Sequence, residues 1–202
     1  MITSPFRIEL DDRHELRLLT LADADAVFKL VDLNREMLRE WLPWLDYNRT
    51  VEDSQTFINK CLENFEIGKG TVAGIWMDHR LAGVISYNFP VDVANRKLSI
   101  GYWVGREFQG KGLVKRATRA MVTHAFERLD FNRVEILCAT GNLKSQSIPR
   151  ALEFTEEGVL RQYEWLYDRF VDLKIYSMLA EDYEAKFAAK FRGAEKVPVP
   201  QA

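Results

Sequence analysis

Apolar positions along the chain follow two different spacings. Between Thr20 and about Leu33 they recur every three or four residues, at Ala26, Val27, Leu30 and Val31, which predicts a helix with Thr20 as cap and Asp23 in an acidic first turn. A second helical piece runs through Met37, Leu38 and Trp41 and ends before Pro43, because a residue ahead of proline is pushed out of the helical region. Trp41, Leu42, Pro43, Trp44 and Leu45 then make an aromatic knot, read as a packed corner rather than a substrate wall. Thr50 with Asp53 opens another helix, whose inward positions are Phe57, Ile58, Cys61, Leu62 and Phe65. A short first strand is expected at 15–19. From Thr71 the period changes: 71–77, 81–89 and 98–104 read as strands joined by short polar segments into an antiparallel meander.

Helical spacing returns at 113–129, with Val114, Ala117, Met121 and Ala125 on the stripe. A fifth, buried strand follows at 134–140, then a short helix at about 145–152, and a closing hairpin of 158–167 and 170–179 turning on Asp168 and Arg169. The stretch from Glu181 starts as a charged helix with Tyr183, Phe187 and Phe191 four residues apart and ends in Pro198 and Pro200, a tail expected to be disordered. The whole reads as an α+β domain with a central, mostly antiparallel sheet flanked by helices over residues 1–183, and a helical extension with a proline tail over 184–202.

Composition narrows the classes. At 202 residues, 47% hydrophobic and 29% charged, the chain has the make-up of a globular domain with a sizeable core. A formal net charge of -2 gives no general pull toward nucleic acid or an anionic membrane. No stretch has the length of a membrane span and the N-terminus has no signal-peptide core, so a cytoplasmic protein is expected. Cys61 and Cys138 are too few for a disulfide framework, and Cys138 reads as a small core residue. His14, His79 and His124 have no acidic or cysteine partner at ligand spacing, so no metal is expected.

The candidate chemistry lies between the fourth strand and the helix after it. Gln109, Gly110, Lys111 and Gly112 lead into a helix whose start carries Lys111, Lys115, Arg116 and Arg119. Cations there oppose the helix dipole, at a cost of roughly 0.3–1 kcal/mol each, and a bound anion would reverse the sign. Two glycines let backbone N–H groups approach a phosphate closely, beside the orphan donors of the first helical turn. The segment is neither a P-loop, since no Ser or Thr follows a lysine as Mg²⁺ requires, nor a dinucleotide fingerprint, since its glycine spacing is wrong.

Gln109, Gly110, Lys111, Gly112, Leu113 and Val114, set between strand and helix, resemble the acyl-CoA signature of the GNAT superfamily of N-acetyltransferases. The resemblance runs on through Asn142, Ser145, Phe154, Glu157, Gly158 and the closing strands, and is similar to the branch of RimJ/RimL-type ribosomal-protein N-terminal acetyltransferases. Two positions depart from the pattern: Val114 where glycine or alanine is usual, and Glu153 where glycine is usual. The resemblance implies a GNAT-like fold with splayed fourth and fifth strands, acetyl-CoA as cosubstrate, and direct transfer of acetyl to an amine. It implies that the amides of Gly110 to Val114 take the pyrophosphate, that Lys111, Lys115, Arg116 or Arg119 stands near the outer phosphate, and that Trp103 and Val104 offer backbone groups to the pantetheine arm and the thioester oxygen. Gln109 belongs to the same signature, Asn142 would position cofactor or substrate, Ser145 would be the general acid and Glu164 the general base. Homodimers are frequent among similar proteins.

Read from the residues alone, Glu164 shares a strand face with Leu160, Gln162 and Leu166, opposite Tyr163, Trp165 and Tyr167. An inward leucine face would bury it and raise its pKa; an inward aromatic face would leave it solvated. Ser145 could equally be the N-cap of the short helix. The expected acceptor is the α-amino group of a protein N-terminus, ribosomal ones included. A small amine such as a polyamine, held by Glu36, Glu40 and Asp46, and a non-catalytic acyl-CoA-binding module are the alternatives.

Overall fold

The computed structural model describes residues 6–186. Eight strands form one sheet: β1 (Arg7–Asp11), β2 (His14–Leu18), β3 (Thr71–Met77), β4 (Arg80–Tyr87), β5 (Lys97–Val104), β6 (Arg133–Ala139), β7 (Thr155–Leu166) and β8 (Arg169–Leu179). Their spatial order is β1-β2-β3-β4-β5-β6-β8-β7. Among the described strands only β5 and β6 pair in parallel. Six α-helices flank the sheet: α1 (Ala24–Leu33), α2 (Arg35–Arg39), α3 (Val51–Glu66), α4 (Leu113–Glu127), α5 (Leu143–Ala151) and α6 (Ala180–Lys186).

Of the apolar stripe read from sequence for α4, Ala117, Met121 and Ala125 are each at most 1% exposed, whereas Val114 is only half-buried and Leu113, 1% exposed, takes its place at the start of the buried face. This face lies against β1, β3, β4 and β5. Helices α1 and α3 pack on each other and against β4 and β3 respectively, with Val31 and Ile58 fully buried. The Thr50–Asp53 signal proves to be a capping box, in which the Thr50 hydroxyl accepts from Asp53 N–H and the Asp53 carboxylate accepts from Thr50 N–H.

The expected splay is present. Parallel pairing of β5 with β6 covers Lys97↔Arg133, Leu98↔Val134 and Ser99↔Glu135 and then stops. Beyond it β5 stays bonded to β4 as far as Val104, and β6 to β8 as far as Ala139, so the sheet opens into a fork.

The structure corrects several boundaries. An additional strand, β1, precedes the one read at 15–19, so the splayed pair is the fifth and sixth of the sheet rather than the fourth and fifth. Its signal was the alternation of buried Phe6, Ile8 and Leu10 with exposed Arg7, Glu9 and Asp11. The Thr20–Asp23 motif opens a 3-10 turn, Leu21–Asp23, before α1. Strand β7 begins at Thr155, ahead of Gly158, and α5 begins at Leu143. The charged helix expected from Glu181 is present through Lys186; the expectations for Phe187, Phe191 and the proline tail lie outside the described residues.

Candidate active site

The fork opens into a cleft of about 970 Å³. One wall is the free side of β5 with Tyr102 and Trp103, the opposite wall is β6 with Cys138, and Asn142, Ser145 and Glu164 close it. The strand geometry decides which backbone groups face the opening. Gly105 N–H donates to Ala82 and Asn88 N–H to Ser99, so within this register residues 99, 101, 103 and 105 are the ones bonded to β4. Ile100, Tyr102 and Val104 therefore turn their backbone N–H and C=O toward the fork. Of the two positions expected to offer backbone groups, Val104 turns its own into the fork, whereas Trp103 spends its own on β4 and lines the cleft with its ring, which lies 6.2 Å from that of Trp44.

At the start of α4 the two glycines take left-handed conformations, φ +74° at Gly110 and +70° at Gly112. A Cβ at either would meet nothing within 4 Å, so what lies in front of them is open space. The first intrahelical bond runs from Arg116 N–H to Gly112, and the amides of residues 110–115 have no acceptor among the described residues. Such a row of donors before an open space fits a phosphate, and the unpaired backbone of the fork fits a ligand with peptide-like amides. Lys111 and Lys115 are exposed beside the cradle, with Lys111 Nζ 5.4 Å from the Phe108 ring. Arg116 is drawn the other way, 3.8 Å from the Asp11 carboxylate and 3.4 Å from the His14 ring, on the β1–β2 hairpin. Gln109 bridges two elements: its amide donates to Met37 Sδ and its carbonyl oxygen accepts from Lys144 of α5.

Asn142 is the N-cap of α5, its side-chain oxygen accepting from Ser145 N–H at 3.0 Å. Ser145 is thus not the cap. Its hydroxyl lies 3.2 Å from Cys138 Sγ and donates to the Tyr102 hydroxyl at 3.3 Å, while Tyr102 donates to the Ser145 carbonyl at 2.9 Å. Burial raises the pKa of both Tyr102 and Cys138, which keeps them neutral. Tyr102 was not singled out from sequence, because a tyrosine inside an apolar strand carries no mark of a polar role. Cys138 is a small buried residue as read, but it is also part of the cleft wall.

Glu164 lies on the leucine face: Leu166 is 1% exposed while Tyr163 and Trp165 are 60% and 52% exposed. Half-burial raises the Glu164 pKa, with desolvation as the cause. The knot at Trp41–Trp44 proves to be both corner and wall, since Leu45 is fully buried and Trp41, Leu42, Pro43 and Trp44 line the cleft. None of the three acids Glu36, Glu40 and Asp46 lines the cleft. Asp46 is paired with Arg39 at 2.9 Å, and Glu36 and Glu40 line a separate hollow with Tyr167 and Asp168. Among the described residues no group of three or more His, Cys, Asp or Glu could hold a metal ion, and no helix is long and apolar enough to cross a membrane.

A mixed sheet forked at its parallel pair, with a helix starting on left-handed glycines beside the fork, defines an acyl-CoA-dependent acyltransferase. Comparison with known proteins makes this specific. The acetyltransferase (GNAT) domain model matches residues 13–155. The chain is 35% identical over 183 residues to the putative ribosomal N-acetyltransferase YdaF of Bacillus subtilis (strain 168), covering 90% of this chain and 99% of that one. It is 25% identical over 174 residues to the ribosomal-protein-serine acetyltransferase of Escherichia coli (strain K12), covering 86% and 97%. Among solved structures, RimL, the ribosomal L7/L12 α-N-protein acetyltransferase, in complex with coenzyme A superimposes with a TM-score of 0.84 at 28% identity over 88% of this chain and 99% of that one. The microcin C7 self-immunity acetyltransferase MccE, in complex with acetyl-CoA and AMP, gives 0.82 at 30% over 85% and 95%. The chain belongs to the GNAT acetyltransferase family and is an acetyl-CoA-dependent N-acetyltransferase.

Proposed function

We propose that this enzyme acetylates the α-amino group of a protein N-terminus, with ribosomal proteins as the acceptor class, in the cytoplasm, and that Glu164 and Ser145 carry the proton transfers. The observation that supports it most is the convergence of a half-buried carboxyl with raised pKa and a serine hydroxyl on one cleft, beside backbone groups left unpaired at the fork. Acetyl-CoA supplies the acetyl group as a thioester. The amides of residues 110–115, with Lys111 and Lys115, would hold its phosphates, while the inward backbone of Tyr102 and Val104 would hold its arm and offer a donor to the oxyanion. Glu164 takes a proton from the incoming ammonium, and Ser145 Oγ, oriented by Tyr102, gives one to the departing thiolate. In RimL the coenzyme A is joined to a cysteine by a disulfide. Cys138, beside Ser145 Oγ, is a cysteine of this chain that lines the fork, which supports a cofactor sulfur close to Ser145.

The polyamine reading loses its support because Glu36, Glu40 and Asp46 do not line the cleft. The test is CoA-thiol release with peptides bearing free amino termini, Ser- and Ala-initiated sequences included. Glu164→Gln and Ser145→Ala are each expected to lower kcat by about 10²–10⁴-fold, the range for lost acid–base catalysis. No thiol release across the panel at saturating acetyl-CoA, or polyamines favoured over every peptide, would sink the acceptor assignment.

A further inference from the structure

Strand β7 carries three residues, Arg161, Gln162 and Tyr163, where β8 has only Asp172 between Val171 and Leu173. A surplus of two leaves the parity of the strand intact, so Glu164 keeps the face of Leu160 and Leu166. Its place along the sheet does change. In an unbroken ladder continuing from Leu160↔Leu173, Glu164 would stand opposite Arg169 at the hairpin end; it stands opposite Val171. At about 3.4 Å per residue the bulge draws the carboxyl back by roughly 7 Å toward the end of β6.

One side chain holds the bulge. Asp172 Oδ1 accepts from Gln162 N–H at 2.7 Å, and Gln162 sits at φ +49°, a left-handed conformation that a glutamine does not adopt without compensation. The backbone carbonyl of the same Asp172 accepts from Thr140 N–H at 2.9 Å, just before the turn on which Asn142 caps the helix bearing Ser145. Asp172 therefore joins the strand that carries Glu164 to the strand that leads to Ser145.

We propose that Asp172 is a positioning residue of the active site, whose carboxylate pins the β7 bulge and so fixes the place of Glu164 relative to the Ser145 wall. This rests on the base role proposed for Glu164.

The test compares Asp172→Ala, Asp172→Asn and Glu164→Gln, alone and combined, using an N-terminal peptide that the wild type turns over, with acetyl-CoA affinity measured by calorimetry. Asp172→Ala is expected to lower kcat by about 10–100-fold, as for a catalytic group displaced by an ångström or so, with acetyl-CoA affinity unchanged. Asp172→Asn keeps an oxygen for the Gln162 N–H and should recover most of the loss. Asp172→Ala should add nothing to Glu164→Gln, because a mispositioned glutamine costs no more than a positioned one. A Glu164→Gln variant of full activity would remove the base role itself. If Glu164→Gln is slow, and Asp172→Ala is either silent alone or multiplies that loss in full, the positioning role is overturned while the base role stands. Should Asp172→Ala fail to fold, Asp172→Glu keeps the charge and shifts the oxygen by one methylene; undiminished kcat in that variant would equally overturn it.

Discussion

Gly112 and Gly68 form a matched pair that separates backbone strain from ligand contact. Gly68 follows α3 at φ +68°, Gly112 precedes α4 at φ +70°, and a Cβ at either meets nothing within 4 Å. Alanine at either site should therefore cost the ligand-free fold the same: about 1–2 kcal/mol for an L-residue held in the left-handed region. At about 2–4 °C per kcal/mol for a domain of this size, both variants should melt roughly 2–8 °C below wild type. The sites differ in what the open space is for. At Gly112 a methyl group enters the region before the orphan amides of residues 110–115, where a phosphate would make charge-assisted hydrogen bonds worth about 1.5–3 kcal/mol each. Loss of even one such bond weakens acetyl-CoA binding by tenfold or more. The assay is thermal unfolding with and without acetyl-CoA at fixed concentration, since a ligand that binds only the fold raises Tm according to its affinity. Gly68→Ala should keep the full ligand-induced shift and Gly112→Ala should lose most of it. Equal shifts in the two variants would refute the cradle, whatever their stabilities.

Three further outcomes follow from named contacts. His124 is half-buried between Phe6 and Tyr87, and desolvation pushes its pKa down to about 4. The unfolded chain takes up this proton below about pH 6.5 while the fold does not, so its contribution is present above pH 6.5 and is lost as pH falls toward 4, by about 3 kcal/mol in all. Urea midpoints at pH 7.5 and 4.5 should differ less in His124→Phe than in wild type, and equal differences would contradict this. Glu153 holds a left-handed turn at φ +59°, so Glu153→Gly should gain about 0.5–1 kcal/mol in chemical denaturation, the relieved strain less the added freedom of the unfolded chain. Lys115→Gln should weaken acetyl-CoA a few-fold at low salt and less at high salt, whereas Arg116→Gln, which removes a guanidinium already engaged by Asp11 and His14, should not; calorimetry at two salt concentrations reads both.

Much of the architecture was legible because it rests on period. The α4 stripe, the meander and the closing hairpin announce themselves in spacing alone. The α4 cations were legible as an anomaly, yet sequence could not say which would serve. Arg116 is taken by a carboxylate on β1, a strand that the reading passed over because only Phe6, Ile8 and Leu10 mark it. Alternation offered Glu164 two faces and could not choose, because the choice depends on how β7 lies against β8 and the cleft. Tyr102 and Asp172 were beyond reach for a shared reason. Each is hydrogen-bonded to the partner on which its proposed role depends, Ser145 in one case and the Gln162 bulge in the other, and neither residue type is unusual in its strand.

The fork itself argues for a ligand. Strands β5 and β6 begin as neighbours, and nothing in their apolar sequences prevents pairing as far as Val104 and Ala139. Their separation leaves the inward C=O of Ile100 and the inward N–H and C=O groups of Tyr102 and Val104 without strand partners, and a buried group left unpaired costs about 1–3 kcal/mol. On the β6 side the Gln146 amide takes up part of the deficit by donating to the carbonyls of Ala139 and Thr140 at 2.9 and 2.8 Å. A sheet held open in this way stays available to an arm that carries amides of its own and lies between the strands like a short missing one. An arm lying there would end beside Ser145, Tyr102 and the bulge next to Glu164, so its binding would offset the cost of leaving the sheet unpaired at the place proposed to hold the acetyl group.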